Sequence, residues 1–257
     1  MSSWQDDTNA RRYADFVREF PMYRQSSDDL VRRLELRPGD RVLDLACGTG
    51  ATTRALLDAL GPTGRVIALD ASDAMQDLAR QQIDDDRVTW ILGPAEHLPD
   101  LVDGPIDAAV CNSAIWQLDT SIVIPAVARL IEGGGRFTCN VAAPDGSRRS
   151  RPTLFELMHA FAVVEHDYTG GPGRRPRHRD QITDQLHDNG FTVTEEIVEF
   201  PSSVEETLAW MRIPIFTERM AGLTYEQRMD SLDKAAARLD PAAIEPHRWL
   251  TITAIKR

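Results

Sequence analysis

Apolar residues in this chain fall in two alternating patterns. Short unbroken runs recur, and between them lie longer stretches with apolar positions three and four apart. The first run is Val42, Leu43 and Leu45 around a lone carboxylate, Asp44, and it reads as a buried parallel strand. Glycines at 48 and 50 follow, then helical spacing over residues 51–60. The same alternation continues with strands over 66–70, 87–92, 106–112 and 136–141, and with helices over 74–82 and 122–131. Asp73 stands where it would cap the first of these helices, and Gly133 to Gly135 end the second. Ahead of the first strand, Ser27 would cap a helix over 28–36, and residues 37–40 form the turn into the strand. After residue 143 the rhythm breaks. A helix-like stretch covers 153–164 and a helix covers 180–189. Residues 191–200 alternate as a sixth strand, 204–210 and 225–239 are helical, and 249–256 close the chain as a strand. Strands alternating with helices predict an α/β fold with a doubly wound, mostly parallel sheet.

This division gives an N-terminal segment (1–40) and a core (41–143) interrupted by an insertion (144–180). The core resumes over 181–201, a second helical insertion covers 202–247, and a final core strand covers 248–257. The length of 257 residues and 42% hydrophobic content suit one such core with additions. Twenty-nine basic against 40 acidic residues leave a net charge of −11, which argues against nucleic acid as substrate. The N-terminus has no apolar signal region and no apolar run reaches transmembrane length, so no membrane partner and a cytoplasmic location are expected. Cys47, Cys111 and Cys139 lie in or beside core strands and read as reduced, buried thiols. No cysteine or histidine spacing suggests a metal site.

The candidate chemistry sits at the glycine turn. Glycines there allow a tight turn and close approach of a ligand, and the helix start offers free N–H groups. A P-loop is excluded because no Gly-Lys-Ser/Thr follows, and the third glycine of a dinucleotide fingerprint is replaced by Thr53. Asp70, 20 residues beyond Gly50, ends the second strand at the distance where an acid can hold a ribose diol. Four ordered motifs carry a resemblance: DLACGTG (residues 44–50), LDASDAM around Asp70, GPAEHLP (93–99) and DAAVCNSAIWQLD (107–119). Over residues 13–141 the chain resembles the class I S-adenosylmethionine-dependent methyltransferases. The resemblance implies a Rossmann-like seven-stranded sheet with an antiparallel last strand inserted between the fifth and sixth, plus helical cap insertions. The implied cofactor is S-adenosylmethionine, released as S-adenosylhomocysteine.

The same resemblance implies site roles. Asp44 would lie near the methionine ammonium, with Ala46, Cys47, Gly48 and Gly50 offering backbone, and Asp70 with Ala71 would take the ribose. Met75 would lie either on the adenine face or in the core. Pro94 stands where many members carry an adenine-binding Asp, which leaves Ala95 and Glu96 for that edge. Asn112, Ser113 and Gln117 would face the methionine portion. Tyr13 and Tyr23 would either touch ligand or pack the helix on the sheet. The acceptor pocket is expected from Tyr13, Trp116, Phe155, Tyr168 and Trp210.

Substrate choice would reside in the insertions, and the partner is expected to be a small molecule, aromatic or anionic. The anionic alternative comes from Arg148, Arg149, Arg151, Arg174, Arg175, Arg177, His178 and Arg179, although the glycines and prolines beside them favour a solvated loop. A hydroxyl acceptor would need a base, for which His159 and His166, and less directly His178, are candidates in the first insertion. O-methylation is therefore favoured over N- or C-methylation. The alternatives are a cofactor-dependent rearrangement or cyclisation without methyl transfer, and a non-catalytic binding subunit. An oligomer is compatible with all three.

Overall fold

A computed structural model describes residues 4–143, 152–170, 178–240 and 246–257. Two helices come first, α1 (Asp7–Glu19) and α2 (Met22–Leu34). The core then runs β1 (Arg41–Leu45), α3 (Ala51–Leu60), β2 (Arg65–Asp70), α4 (Asp73–Gln82), β3 (Val88–Leu92), α5 (Leu98–Leu101), β4 (Ile106–Cys111), α6 (Thr120–Leu130) and β5 (Ile131–Ala142). Helix α7 (Leu154–His166) belongs to the first insertion, followed by α8 (His178–Asp188) and β6 (Phe191–Phe200). The second insertion holds α9 (Val204–Met211), α10 (Pro214–Thr217) and α11 (Tyr225–Ala236), and β7 (His247–Lys256) ends the chain.

The seven strands form one sheet in the order β3-β2-β1-β4-β5-β7-β6. The first five are parallel, and β7 pairs antiparallel with both β5 and β6. The order reverses between β1 and β4, so the crevice lies beyond the carboxyl ends of those two strands. Parallel strands covered on both faces must be apolar throughout, and β1, β2 and β4 bury Leu43, Leu45, Ile67, Leu69, Ala109 and Cys111 against α6 and α8. Their opposite face buries Val42, Val66, Ala108 and Val110 against α2 and α3.

Three boundaries differ from expectation. Helix α2 begins at Met22, not near 28, because Pro21 starts it and Met22 and Tyr23 are themselves buried. Ser27 thus sits inside the helix, bonded to Thr52 Oγ1 at 2.9 Å. Ser72 rather than Asp73 caps α4: its Oγ accepts from the Met75 N–H, and Asp73 falls in the first turn where its charge meets the helix dipole. Strand β5 starts at Ile131, so the glycines expected to end a helix lie within the strand.

The two insertions share a core. Leu154, Met158, Ala162 and Tyr168 of the first pack against Met211, Met220, Leu232 and Ala235 of the second. A separate aromatic cluster joins α1 and α2 to Ile213 and Phe216 of the second insertion.

Candidate active site

The glycine turn and the ends of β2 and β4 build the floor. Ala46, the first residue beyond β1, and Ser113, the second beyond β4, both hold left-handed backbone (φ of 58° and 56°), an uncommon state for residues with a Cβ. Gly48 is also left-handed (φ 54°), and a Cβ placed there would meet no protein atom within 4 Å. Its outer side is open space, as a backbone approached by a ligand requires. Gly50 differs: a Cβ there would stand 2.7 Å from Ile83 Cδ1 and 3.2 Å from Ala79 Cβ, so this glycine admits α4 rather than ligand.

Two carboxylates converge beneath the turn. Asp70 Oδ2 accepts from the Gly48 N–H at 2.7 Å and Oδ1 from the Ser72 N–H at 2.8 Å. Burial raises the Asp70 pKa, while the N–H groups of Ser72, Gly48 and Ala71 oppose the rise. Asp44 is buried, and its Oδ2 accepts from the Thr53 hydroxyl at 2.6 Å. Thr53, which breaks the dinucleotide pattern, is therefore the partner of the central acid. Burial pushes the Asp44 carboxyl up to about 7, against the Thr53 hydrogen bond and with the Asp70 charge adding to the push. Burial likewise raises the Cys47, Cys111 and Cys139 thiols, which stay protonated.

The Asp44 shift has a definite sign. Its folded pKa lies above the unfolded value, so its burial costs nothing below about pH 4 and destabilises progressively as pH rises to about 7. A cation bound beside it favours the ionised form. Affinity for S-adenosylhomocysteine should therefore rise between about pH 5 and pH 7, by at most about tenfold per unit. Calorimetric titration across that range checks this; wild-type affinity that is flat with pH, or the same slope in Asp44→Asn, contradicts it.

Asn112 ties elements together. Its Oδ1 accepts from Ser26 Oγ, Ser113 Oγ and Asn140 Nδ2, each at 3.0 Å, and its Nδ2 donates to Ser27 Oγ at 3.0 Å. Its amide thus fixes α2 over the ends of β4 and β5. Glu96 Oε1 accepts from the Asp119 N–H at 2.9 Å and so braces the loop after β4. Ala95 and Met75 are buried, Ala95 in the core below this loop.

The roof comes from outside the core. Trp4 donates Nε1–H to Gln117 Oε1 at 2.8 Å, and its carbonyl accepts from Ser72 Oγ at 2.6 Å. Gln5 donates to the Ala71 carbonyl. Trp4 stands edge-on to Tyr13 and Phe216, and Tyr13 lies against Tyr23 with ring centroids 4.9 Å apart. Trp210 donates Nε1–H to Tyr23 Oη at 3.0 Å and stacks on Phe216. Burial, with Tyr23 beside it, pushes the Tyr13 phenol well above its ordinary value, and the Asp70 and Asp44 charges act in the same direction. Tyr13, Tyr23, Gln117 and Trp210 are thus brought together with the floor. Phe216 is one of the aromatic residues that the second insertion offered for a roof; Trp4 was not expected there, because its long-range partners leave no local sequence signal.

Of the other expected residues, Phe155, Tyr168, His159 and His166 lie in the cap, and Trp116 stands at the crevice end of β7. Phe155 carries the Arg219 guanidinium over its ring, Tyr168 packs in the cap core, and Trp116 stacks on Trp249. His159 Nε2 bonds the Gly170 carbonyl at 2.8 Å beside Tyr168, and His166 Nε2 pairs with Asp230 at 3.0 Å. Both imidazoles are engaged within the cap, which speaks against them as bases. Of the arginines expected near an anionic substrate, Arg179 pairs with Glu195; Arg148, Arg149, Arg151, Arg174, Arg175, Arg177 and the His178 side chain lie outside the described residues. Among the described residues no cluster of His, Cys, Asp or Glu could hold a metal ion, and no helix is long and apolar enough to cross a membrane.

A family model described as a methyltransferase domain matches residues 42–135, the span from β1 to the start of β5. Demethylmenaquinone methyltransferase of Symbiobacterium thermophilum is 30% identical over 192 residues, covering 65% of this chain and 74% of that protein. The chain belongs to the class I S-adenosylmethionine-dependent methyltransferases. The fold of this methyltransferase agrees with solved structures. The YcgJ protein of Bacillus subtilis matches with a TM-score of 0.61 at 22% identity, over 91% of this chain and 98% of that one. Phosphoethanolamine N-methyltransferase 2 of Haemonchus contortus, in complex with S-adenosyl-L-methionine, matches with a TM-score of 0.62 at 19% identity, over all of this chain and 60% of that one. The cofactor of the methyltransferase is S-adenosylmethionine, and the open space over Gly48, the buried Asp44, the half-buried Asp70 and the left-handed turns suit it.

Proposed function

We propose that this methyltransferase acts on a small molecule held under the aromatic roof. The observation that carries this reading is the roof itself. Trp4, Tyr13, Tyr23, Trp210 and Phe216 join three separate segments into one cover, anchored by hydrogen bonds to Ala71, Ser72 and Gln117 at the floor. A cover fastened at both edges suits an acceptor small enough to be enclosed and kept from water.

Under this reading Asp70 accepts from the ribose diol, Asp44 balances the ammonium, and Gly48 admits the cofactor close to its backbone. S-adenosylmethionine supplies an electrophilic methyl group. The chain supplies alignment, because an in-line displacement gains most of its acceleration from holding the nucleophile in place. The Tyr13 phenol stays protonated at neutral pH, so it serves as a hydrogen-bonding wall rather than a base. With His159 and His166 engaged in the cap, alignment without a dedicated base carries the transfer, and the base no longer favours oxygen over nitrogen or carbon as acceptor.

Methyl-labelled S-adenosylmethionine, added with the enzyme to a fractionated bacterial extract, tests this. Label should appear in the low-molecular-weight fraction with stoichiometric S-adenosylhomocysteine. Label confined to protein or nucleic acid overturns the small-molecule reading.

A further inference from the structure

We propose that Trp116, Trp249 and His247 form an acceptor subsite for a planar hydroxylated ring, with the two indoles as its wall and the Trp249 and His247 ring nitrogens as its polar end. The proposal rests on the small-molecule reading above and names the acceptor class.

Position comes first. Strand β7 runs antiparallel to β5, and Trp249 pairs with Ala142, the last residue of β5. His247, two residues earlier, pairs with Phe200, the last residue of β6. Both therefore stand at the end of the sheet where the crevice opens. Alternation puts His247, Trp249 and Thr251 on one face, about 6.6 Å apart in successive pairs. That face is the α2 side, since Thr251 Oγ1 lies 3.5 Å from Asp29 Oδ2 of α2. Trp116 reaches Trp249 from the loop after β4, the loop whose Gln117 holds the roof. Their rings are nearly parallel (16°) with centroids 6.2 Å apart.

Two orphaned atoms then point to a ligand. Trp249 Nε1 and His247 Nε2 are both buried, and neither finds a hydrogen-bond partner among the described residues. Buried polar atoms are nearly always paired, and an unpaired one costs stability. Two of them on one face of one strand, beside an indole pair at the crevice, form a coherent set.

Their chemistry selects the group that would satisfy them. An indole N–H only donates. Burial lowers the His247 pKa to about 4, so its ring is neutral and one nitrogen accepts. A hydroxyl is the group that can both accept from an indole N–H and donate to a neutral imidazole nitrogen. A carboxylate or phosphate would need a cation, and the neighbouring Arg248 faces the other side, paired with Glu199 at 2.7 Å. The indole wall favours a flat ring as the bearer of that hydroxyl.

The test uses the whole protein saturated with S-adenosylhomocysteine, labelled with 15N and titrated with 2-naphthol or naphthalene. The Trp249 indole N–H signal, assigned by its ring contact with Trp116, should move saturably with 2-naphthol, and naphthalene should need a several-fold higher concentration to move it. This measurement needs no variant. Trp249→Phe, if folded, should bind 2-naphthol about three- to tenfold more weakly, with S-adenosylhomocysteine affinity unchanged. His247→Phe should lose the preference for 2-naphthol over naphthalene. Absence of 2-naphthol binding, binding that leaves the Trp249 signal in place, or equal binding of the two probes overturns the subsite. Failure of the small-molecule reading would instead appear in the labelling experiment, as methyl groups on macromolecules.

Discussion

Asp70→Ala should yield a folded protein that binds S-adenosylhomocysteine about 1–3 kcal/mol more weakly, or roughly 5- to 150-fold. Two losses add. The ribose loses its acceptor, and the N–H groups of Gly48 and Ser72 lose the carboxylate that holds them at 2.7 and 2.8 Å. The turn would then sample other conformations and bind less well even where it makes no direct contact with the sugar. The fold should survive, because β2 keeps its pairing with β1 and β3 and the released N–H groups face the crevice. Calorimetry with S-adenosylhomocysteine and a thermal melt separate the two effects. Unchanged affinity in a melt-competent variant would remove Asp70 from the ribose site.

A larger loss is expected from Gly48→Val. The left-handed φ of Gly48 is expensive for a β-branched residue, about 1–3 kcal/mol of stability. The added side chain would meet no protein atom and would project into the space above the turn. It should therefore occupy the cofactor's place, with a loss of about 3 kcal/mol or more in binding, roughly 100-fold. Gly134→Val provides the control. Gly134 is also left-handed with open space around it, but it lies near the start of β5, at the far end of the sheet. It should show a similar drop in melting temperature and normal cofactor affinity. If Gly134→Val abolishes binding as well, the Gly48 effect is general destabilisation and the ligand-approach argument fails.

The parts of this molecule written in neighbouring residues were legible in the sequence. The β1 run, the glycine turn and α3 are contiguous, and residues 51–60 form a helix as their spacing predicted. Strand β6 spans residues 191–200 as its alternation indicated, and β7 lies antiparallel between β5 and β6 as the family resemblance implied. What escaped depends on contacts between distant segments. Periodicity placed His159 in a helix of the first insertion, with His166 just beyond its expected end, but could not show that Gly170 and Asp230 would engage them. Asn112 was recognisable at a strand end, yet its bonds to Ser26, Ser27 and Asn140 arise only when α2 settles on the sheet. His247 drew no attention because the expected strand began two residues later.

The shared core of the two insertions also bears on how acceptor preference changes between relatives. Helix α7 completes its apolar surface with α11, although β6 separates them in the chain. Neither piece could be exchanged alone without uncovering the other. Residues 152–170 and 204–239 therefore behave as one heritable module, and a chimera meant to transplant specificity would have to carry both pieces from the same parent.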